Sequence, residues 1–306
     1  MDCRIYISDI VRECGGKILF GNPKEECKNF SKDTRTIQNG DVYIGIKGEK
    51  FDGNEFYREA FELGASTCII DRNYANSHQI DNIPGKNLVV VKDTIRCIQM
   101  LAAYKRSLVD IPVIAITGSV GKTSTKDLIS SVVSQKYTVL KTEGNYNNAI
   151  GLPLTILRLK DEEVMILEMG MNHEGEIRLL TNIAKPTIGV ITNIGTAHIG
   201  NLGSRENILK AKLEIVEGLP FNGTLIINND NDIMHSHLEE IKNKIRVITT
   251  GIKNESDIMA TNIDSQIDCS SFNIENEKEF YKAIIYYISG MTDNYAIEMY
   301  NRVIGF

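Results

Sequence analysis

Residues 112–124 constrain the fold more than any other part of the chain, because they join an apolar run to a helical pattern through a glycine-rich turn. The run at 113–116 predicts a buried strand, and the turn after it carries Gly118, Gly121, Lys122 and Thr123. A strand that leads through glycines into a helix N-terminus is suited to phosphate: backbone N–H groups and a lysine surround the anion, and a threonine hydroxyl can bind Mg²⁺. The alternative is a chance Gly-Lys-Thr sequence at a strand–helix turn. The amphipathic helix pattern that follows favours the phosphate-binding interpretation.

From about residue 110 onward, strand-like segments alternate with helix-like segments. Strands are predicted at 113–117, 137–141, 164–168, 188–192, 224–228 and 246–250, and helices near 123–135, 175–184, 204–218 and 232–243. This alternation is typical of an α/β domain in which helices cover both faces of a mostly parallel sheet. In such sheets, ligands bind at the carboxyl ends of the strands. After about residue 252 the pattern weakens and predicts no definite element.

Residues 1–109 form a separate predicted α/β domain. A strand at 41–46, a helix at 54–63, a strand at 66–71 and a helix near 93–107 precede a junction at 110–112. The length of 306 residues is consistent with two domains, each large enough for its own core. We therefore predict an N-terminal substrate domain at 1–109 and a central domain at 110–306 with the architecture of a P-loop ATPase.

The composition argues against several classes of protein. A net charge of −6 disfavours a general nucleic-acid surface, so any phosphate binding must come from local features. No apolar run approaches the roughly 20 residues of a membrane-spanning helix, and the first residues lack the apolar region of a secretory signal. Six cysteines without a C-x-x-C pair are predicted to be free thiols rather than zinc ligands or disulfides. We expect a cytoplasmic monomer that neither binds nucleic acid nor inserts into a membrane.

Polar side chains follow several of the predicted strands. Asn145, Asn147 and Asn148 offer neutral donors and acceptors suited to sugar hydroxyls or amides, although the same cluster fits an asparagine-rich turn. Glu168 ends an apolar strand and could hold Mg²⁺ together with phosphate oxygens, or it could simply face solvent. His198 follows the next strand, either as a ligand or as a structural hydrogen-bonding residue.

The helix predicted at 204–218 places a lysine among apolar residues. At about 100° per residue, Lys212 falls in the middle of the apolar arc, whereas Lys210, Glu214 and Glu217 fall on the opposite face. A lysine in such a position must extend to solvent, pair with a carboxylate or lose its charge. A buried amine that loses its proton readily can react with CO₂ and become a carboxylate-like metal ligand.

Several independent motifs resemble the Mur ligase family, and within it the MurF branch of UDP-N-acetylmuramoyl-tripeptide–D-alanyl-D-alanine ligases of peptidoglycan synthesis. These motifs lie at 33–53, 117–123, 144–157, 168–177 and 197–215. The Asn147-Asn148 pair and the block at 168–177 separate this branch from the tripeptide-adding ligases and the folylpolyglutamate synthases. The resemblance implies an ATP-dependent amide ligase that requires Mg²⁺ and joins UDP-N-acetylmuramoyl-tripeptide to D-alanyl-D-alanine.

The resemblance also assigns roles to the matching positions. The residues expected to hold the ATP phosphates are Thr117, Gly118, Ser119, Gly121, Lys122, Thr123 and Ser124. The expected Mg²⁺ ligands are Thr123, Glu168, His198 and a carbamylated Lys212, and the expected catalytic residues are Lys122, Glu168, His198 and Lys212. The expected substrate contacts are Ser31, Asp33 and Arg35 near the uridine diphosphate, and Asn145, Asn147 and Asn148 near the muramoyl group.

The implied reaction needs no serine or cysteine nucleophile. ATP would phosphorylate the terminal carboxylate of the tripeptide, and the amine of the dipeptide would then displace phosphate from the acyl phosphate. Catalysis of this kind depends on positioning and on stabilisation of charge.

The chain departs from the family pattern in two places. The family's Gly-x-His-Asn-x-x-Asn-Ala helix, which contacts adenosine, is matched here by 290–294 without the histidine. Family members carry a further C-terminal domain, whereas this sequence ends at Phe306. We therefore expect the chain alone to bind the UDP precursor, and ATP weakly, without ligating the dipeptide. A non-catalytic binding module remains an alternative, and so does a ligase of the same superfamily with another acceptor. The second alternative does not account for the asparagine block, which consists of Asn145, Asn147 and Asn148.

Overall fold

The computed structural model describes residues 3–265 and 270–275. The chain forms two compact units, the first comprising Met1–Asp110 and Ala149–Asp161 and the second comprising Ile111–Asn148 and Glu162–Phe306. The sequence predicts domains at 1–109 and 110–306. The structure instead places the segment Ala149–Asp161 with the first unit.

Strands and helices alternate through the described part of the chain. The strands are β1 (Ile5–Tyr6), β2 (Lys17–Phe20), β3 (Glu26–Cys27), β4 (Phe30–Ser31), β5 (Val42–Ile44), β6 (Thr67–Asp71), β7 (Asn87–Val91), β8 (Val113–Thr117), β9 (Val139–Lys141), β10 (Val164–Glu168), β11 (Ile188–Ile191), β12 (Thr224–Asn228), β13 (Arg246–Gly251), β14 (Ile258–Ser265) and β15 (Ser270–Glu275). The α-helices are α1 (Ile7–Cys14), α2 (Tyr57–Glu62), α3 (Arg72–Ser77), α4 (Thr94–Ser107), α5 (Lys122–Val133), α6 (Gly151–Leu157), α7 (Glu176–Ala184), α8 (Ile199–Leu202), α9 (Arg205–Leu213), α10 (Asp232–Ser236) and α11 (Leu238–Lys242). Short 3₁₀-helices lie at Thr34–Thr36, Gly53–Phe56 and Glu214–Gly218.

The first unit contains a five-stranded sheet in the order β2-β7-β6-β5-β4. Strand β2 is antiparallel to β7, and the other neighbours are parallel. Strands β1 and β3 form a separate antiparallel pair. The core of this unit packs α2 against the sheet through residues that include Tyr57, Phe61, Ile70 and Leu88.

Helix α6 belongs to the first unit although the strands before and after it in the chain belong to the second. Two side chains of α4 hold it in place: Gln99 Nε2 donates to Ala149 O at 3.0 Å, and Lys105 Nζ donates to Leu157 O at 2.9 Å. Every residue of α6 is buried. The sequence analysis did not predict this helix.

The second unit is built on an eight-stranded sheet in the order β15-β14-β13-β12-β11-β8-β10-β9. Neighbouring strands are parallel except β14 and β15, which are antiparallel. Because the connections from β8 to β9 and from β10 to β11 run in opposite directions along the sheet, right-handed crossovers place α5 and α7 on opposite faces. The predicted α/β architecture with a mostly parallel sheet is therefore confirmed.

Continuous apolar strands account for this sheet. Ile114, Ile116, Ile166, Val190 and Ile226 are buried in one core cluster, as expected for parallel strands covered on both faces. The strands predicted at 113–117, 164–168 and 224–228 are confirmed residue for residue. The helix predicted at 204–218 is α9 followed by a 3₁₀-helix, and the one predicted at 232–243 is α10 followed by α11.

The strand order brings the carboxyl ends of three strands together, because β8 lies between β10 and β11. The loop after β8, the last residue of β10 and the segment after β11 therefore meet at one edge of the sheet. In open α/β sheets this edge, where successive connections diverge, is where ligands bind.

Two expectations from composition can be compared with the described residues. Five cysteines (Cys3, Cys14, Cys27, Cys68 and Cys97) are free thiols, four of them buried, whereas Cys269 lies outside the described residues. Among residues 3–265 and 270–275, no helix has both the length and the apolar character needed to cross a membrane.

Candidate active site

The loop between β8 and α5 has a backbone that requires glycine. Gly118 has a φ of 153°, and a Cβ at this position would collide with Thr192 Oγ1. Gly121 has a φ of 80° and stands directly before the first residue of α5. The loop therefore enters the helix in a conformation that brings its backbone close to a ligand at the helix N-terminus.

The segment after β11 fixes this loop in place. Asn193 accepts from Ser119 N through its backbone oxygen and from Val120 N through its side-chain oxygen, both at 3.0 Å. Thr192 Oγ1 donates to Val120 O at 2.6 Å, and Gly195 N donates to Ser119 Oγ at 2.9 Å. The loop is thus held by hydrogen bonds to a neighbouring strand end, which reduces the ordering needed when a ligand binds.

Lys122, the first residue of α5, lies over the loop. Its Nζ donates to Gly118 O at 2.9 Å and to Ser119 O at 3.4 Å. Burial lowers the pKa of this ammonium, and the negative charge of Glu168 opposes that shift. The Lys122 ammonium therefore lies at the loop, where phosphate oxygens could take the place of the carbonyl oxygens of Gly118 and Ser119 as its hydrogen-bond acceptors.

Glu168 is the point where the loop, the sheet edge and the asparagine block meet. Its side chain is buried, with Oε2 accepting from Thr123 Oγ1 and Oε1 accepting from Asn147 Nδ2, each at 2.9 Å. Its backbone N–H donates to Thr142 Oγ1 at 3.0 Å. A carboxylate and a hydroxyl in contact are oxygen donors of the kind that Mg²⁺ prefers, so these residues fit that ion.

The three predicted substrate asparagines do not behave alike. Asn147 directs its amide nitrogen at Glu168, and its backbone oxygen accepts from Gly170 N at 2.8 Å. A Cβ at Gly170 would lie 3.0 Å from Asn147 Oδ1, so this glycine lets the two segments approach. Asn145 and Asn148 are exposed.

Lys212 is buried in α9, as the helical pattern predicts. Its side chain is only 1% exposed, and Ile208, Leu209 and Ala211 are buried beside it. Burial, together with the positive charge of Lys122, lowers the pKa of Lys212 to about 7. The amine can therefore lose its proton near neutral pH, which is the condition for reaction with CO₂.

Glu214 corrects the helical prediction. It was expected on the polar face with Lys210 and Glu217, but it is 3% exposed. The reason is that the start of α7 packs on this side of the segment, where Gly175 N and Arg178 N donate to the Glu214 carboxylate at 2.8 and 3.0 Å. Lys210 is exposed as predicted and pairs with Glu174 at 2.9 Å.

His198 lies at the start of α8 with a left-handed backbone (φ 65°), and its side chain is exposed. Its backbone oxygen accepts from Asn201 N and Leu202 N at 3.0 and 3.1 Å. Among residues 3–265 and 270–275, no cluster of three His, Cys, Asp or Glu side chains is arranged for a metal ion. Its role as a metal ligand therefore stays a prediction.

In the first unit, Ser31, Asp33 and Arg35 form a compact turn. Asp33 caps the 3₁₀-helix Thr34–Thr36, and its carboxylate accepts from Arg35 Nε at 2.9 Å and Arg35 Nη2 at 2.6 Å. These bonds lower the pKa of Asp33, and Ser31 Oγ donates to Asp33 O at 3.1 Å. Arg35 is 86% exposed, so its guanidinium is available to an anion without loss of packing. The segment 290–294, expected near adenosine, lies outside the described residues.

Residues 116–290 match the model of the Mur ligase middle domain, which is more than half of the chain. The chain belongs to the Mur ligase family. It is 43% identical over 227 residues to UDP-N-acetylmuramoyl-tripeptide–D-alanyl-D-alanine ligase of Bacillus subtilis, covering 72% of this chain and 48% of that relative. The chain therefore spans about half the length of the curated relative it matches.

Solved structures of this family have the same fold. MurF of Acinetobacter baumannii superposes with a TM-score of 0.78 at 31% identity, over 89% of this chain and 58% of that one. The MurF ligase of Thermotoga maritima, in complex with ADP, gives a TM-score of 0.71 at 29% identity, over 81% of this chain and 56% of that one.

Sequence reasoning missed the residues that support the site rather than form it. Thr142 and Asn193 lie directly after or near strand ends, but nothing in the sequence assigns them partners. Glu214 was missed because a helical projection does not show that the start of α7 covers this side of the helix. A threonine or asparagine directly after a buried parallel strand is the sequence signal that could have identified them. Backbone N–H and C=O groups that no strand pairs lie at these strand ends, and such side chains can bond them.

Replacing Lys212 should reveal the cost of burying its charge. Below pH 7 the Lys212 amine is protonated in both the folded and the unfolded protein, so the folded state bears the full free-energy cost of a buried ammonium. Between pH 7 and about 10 only the unfolded chain keeps this proton, so wild-type stability should rise relative to Lys212→Met by up to about 1.4 kcal/mol per pH unit. Urea denaturation in CO₂-free buffer from pH 6 to pH 9 measures this difference.

Lys210→Met is the matched control, because Lys210 lies on the same helix with its side chain 69% exposed. Its stability should track that of the wild type across the pH range. Parallel curves for wild type and Lys212→Met would contradict the lowered pKa.

Proposed function

We propose that this chain carries the nucleotide, metal and UDP-precursor sites of a MurF-type ligase, an enzyme that joins D-alanyl-D-alanine to UDP-N-acetylmuramoyl-tripeptide with ATP. The observation that carries the proposal is the contact of Thr123 Oγ1, at the start of the helix after the phosphate loop, with the buried Glu168 carboxylate at 2.9 Å. The proposed substrates are those that give the Bacillus subtilis relative its name. We further propose that the protein acts in the cytoplasm as a monomer.

The nucleotide phosphates are proposed to bind at the N-terminus of α5. Gly118 and Gly121 let the loop backbone approach an anion there, and the N–H groups of the first turn, which include those of Thr123 and Ser124, have no acceptor within the helix and can donate to it. Ser119 N and Val120 N stay bonded to Asn193 and hold the loop in place. Lys122 exchanges its bonds to two loop carbonyls for bonds to phosphate oxygens. That exchange favours a phosphate because a charge-assisted hydrogen bond is stronger than one to a neutral carbonyl.

The metal is proposed to bind between Thr123 and Glu168, with His198 and Lys212 as further ligands. When bound, Mg²⁺ would neutralise charge on the transferred phosphoryl group and fix its orientation. Asn147 and Thr142 then orient the Glu168 carboxylate through its Oε1 atom and its backbone N–H. Such outer contacts determine how well a ligand is presented to a metal.

Lys212 is proposed to act as a carbamate. Its ammonium first loses one proton; the neutral nitrogen then forms a bond to the carbon of CO₂ as one C–O π bond opens, and a second proton leaves, so a buried cation becomes an anion beside Lys122. The attraction between the new carboxylate and Lys122 replaces a repulsion between two ammonium groups. This exchange gives a physical reason for a lysine at a buried position close to a second lysine.

The UDP precursor is proposed to contact Ser31, Asp33 and Arg35, with Asn145 and Asn148 toward the muramoyl group. In the reaction, a carboxylate oxygen of the tripeptide attacks the γ-phosphorus of ATP and ADP leaves. The amine of D-alanyl-D-alanine then attacks the acyl carbon, phosphate leaves, and the amine loses a proton. The chain contributes positioning and electrostatic stabilisation throughout.

Two substitutions should separate the two ligands. Lys122→Ala should weaken Mg-ADP binding by about tenfold or more and leave UDP-N-acetylmuramoyl-tripeptide binding unchanged, because a charge-assisted bond to phosphate is lost. Arg35→Ala should do the reverse, since the two residues belong to different units. Isothermal titration calorimetry with each ligand measures both effects.

Lys136→Ala removes an exposed lysine near the end of the α5 region and serves as the control. Both affinities should stay at their wild-type values. Failure of the wild type to bind UDP-N-acetylmuramoyl-tripeptide would overturn the proposed function, and equal loss of both ligands in one folded variant would overturn the division of sites.

Carbon-13 NMR tests for the carbamate on Lys212. Wild-type protein in ¹³C-bicarbonate with Mg-ADP should show a carbamate resonance that Lys212→Met lacks and Lys210→Met keeps. The resonance should grow as pH rises through 7, because the neutral amine is the reactive form. A spectrum with no signal above that of Lys212→Met would refute this role.

A further inference from the structure

Glu214 is a buried carboxylate that the proposed chemistry does not use. It begins the 3₁₀-helix that continues α9, two residues beyond Lys212, and it is 3% exposed. Both of its oxygens are engaged: Oε1 accepts from Gly175 N at 2.8 Å and Oε2 accepts from Arg178 N at 3.0 Å. The Arg178 guanidinium also lies 3.4 Å from Oε1.

The two N–H donors belong to the beginning of α7. Gly175 precedes that helix with a φ of 89° and has no side chain that could accept from the helix's own N–H groups. The first N–H groups of a helix have no partner inside it, and their partial positive charge favours an anion. Glu214 supplies the cap from another helix, with both oxygens hydrogen-bonded and its charge matched to the helix end.

This cap closes a loop that starts at the candidate metal ligand Glu168. At the start of the loop, Met169 N donates to Ile116 O and Gly170 N donates to Asn147 O, both at 2.8 Å. At its end, Glu214 holds Gly175. The loop is therefore fixed at one end to the sheet edge and at the other to the helical segment that carries Lys212.

The ion pairs between these segments, apart from the Arg178 contact with Glu214, are at the surface. Lys210 pairs with Glu174 at 2.9 Å and Arg178 pairs with Glu217 at 2.8 Å, and all four side chains are about half exposed or more. Exposed ion pairs contribute little because water screens them. Two buried polar links remain: Thr181 Oγ1 donates to Ile215 O at 3.0 Å further along α7, and Glu214 accepts from the loop end and the first turn of α7 at Gly175 N and Arg178 N.

We propose that Glu214 is a positioning residue: it holds the Lys212 helix and the loop after Glu168 in one arrangement, so that both side chains are presented to the same Mg²⁺. This inference rests on the proposed function. It differs from a general structural role in one respect, since it concerns the geometry of the metal ligands rather than the stability of the unit.

Glu214→Gln is the variant that tests it, because glutamine has the same shape without the charge and turns an amide N–H₂ toward one of the helix donors. The protein is titrated with Mg²⁺ in the presence of a fluorescent ADP analogue. The apparent Mg²⁺ affinity should fall by about tenfold, the lower end of the range for removing a hydrogen bond made directly to a metal ligand, because Glu214 contacts the segments that carry the ligands and not the ligands themselves. Affinity for the analogue without metal should stay at the wild-type value.

Glu217→Gln is the matched control, since Glu217 lies in the same 3₁₀-helix and pairs with the same Arg178, but at the surface. Its Mg²⁺ titration should overlay that of the wild type. Glu214→Asp keeps the charge on a shorter side chain and should recover part of the lost Mg²⁺ affinity. If Glu214→Gln does not fold, the Glu214→Asp titration decides in its place.

Hydrogen–deuterium exchange without metal gives an independent readout. Amides of 170–178 should exchange faster in Glu214→Gln than in Glu217→Gln, while the strands β8 and β10 exchange at the wild-type rate. Superimposable Mg²⁺ titrations for Glu214→Gln and Glu217→Gln would overturn the inference and leave the proposed function intact. A wild-type protein whose analogue binding does not respond to Mg²⁺ would instead overturn the proposed function.

Discussion

A single buried carboxylate organises the candidate site. Glu168 is 2% exposed, and a charge in such a position is tolerated only when it is fully paired. Its two carboxylate oxygens accept from the Thr123 hydroxyl of α5 and from the Asn147 amide in the segment after β9, and its backbone N–H donates to Thr142 Oγ1 just after β9. These groups can meet because β9, β10 and β8 are neighbours in the sheet. The requirement to satisfy this carboxylate thus ties the phosphate loop to the asparagine block.

The same site concentrates positive charge in a desolvated place. Lys122 and Lys212 both have lowered pKa values because of burial, and the charge of Lys122 lowers the pKa of Lys212 further. With two protonated lysines and one carboxylate, the site would carry net positive charge, which an anionic ligand would offset. A phosphate at the loop and a carbamate at Lys212 are two anions that would do so, which is why the electrostatics and the proposed chemistry agree.

The support around these side chains comes from hydrogen bonds to strand ends and helix ends. Asn193 holds the phosphate loop through Ser119 and Val120, and Glu214 holds the start of α7 through Gly175. In both cases one residue satisfies backbone N–H groups that secondary structure leaves unpaired. The hydrogen bonds that satisfy these backbone groups therefore also fix the positions of the reactive side chains.

Local periodicity in the sequence determined the parallel sheet, the glycine loop at 118–121 and the burial of Lys212, because each depends on residues close together in the chain. The resemblance to a ligase family, carried by short motifs, was equally available from the sequence. Only the tertiary structure decided that α6 belongs to the first unit, that Asn147 turns to Glu168, and that Glu214 is buried as a cap. These features depend on partners 21 to 52 residues away, and nothing local in the sequence encodes which distant donor will meet which acceptor.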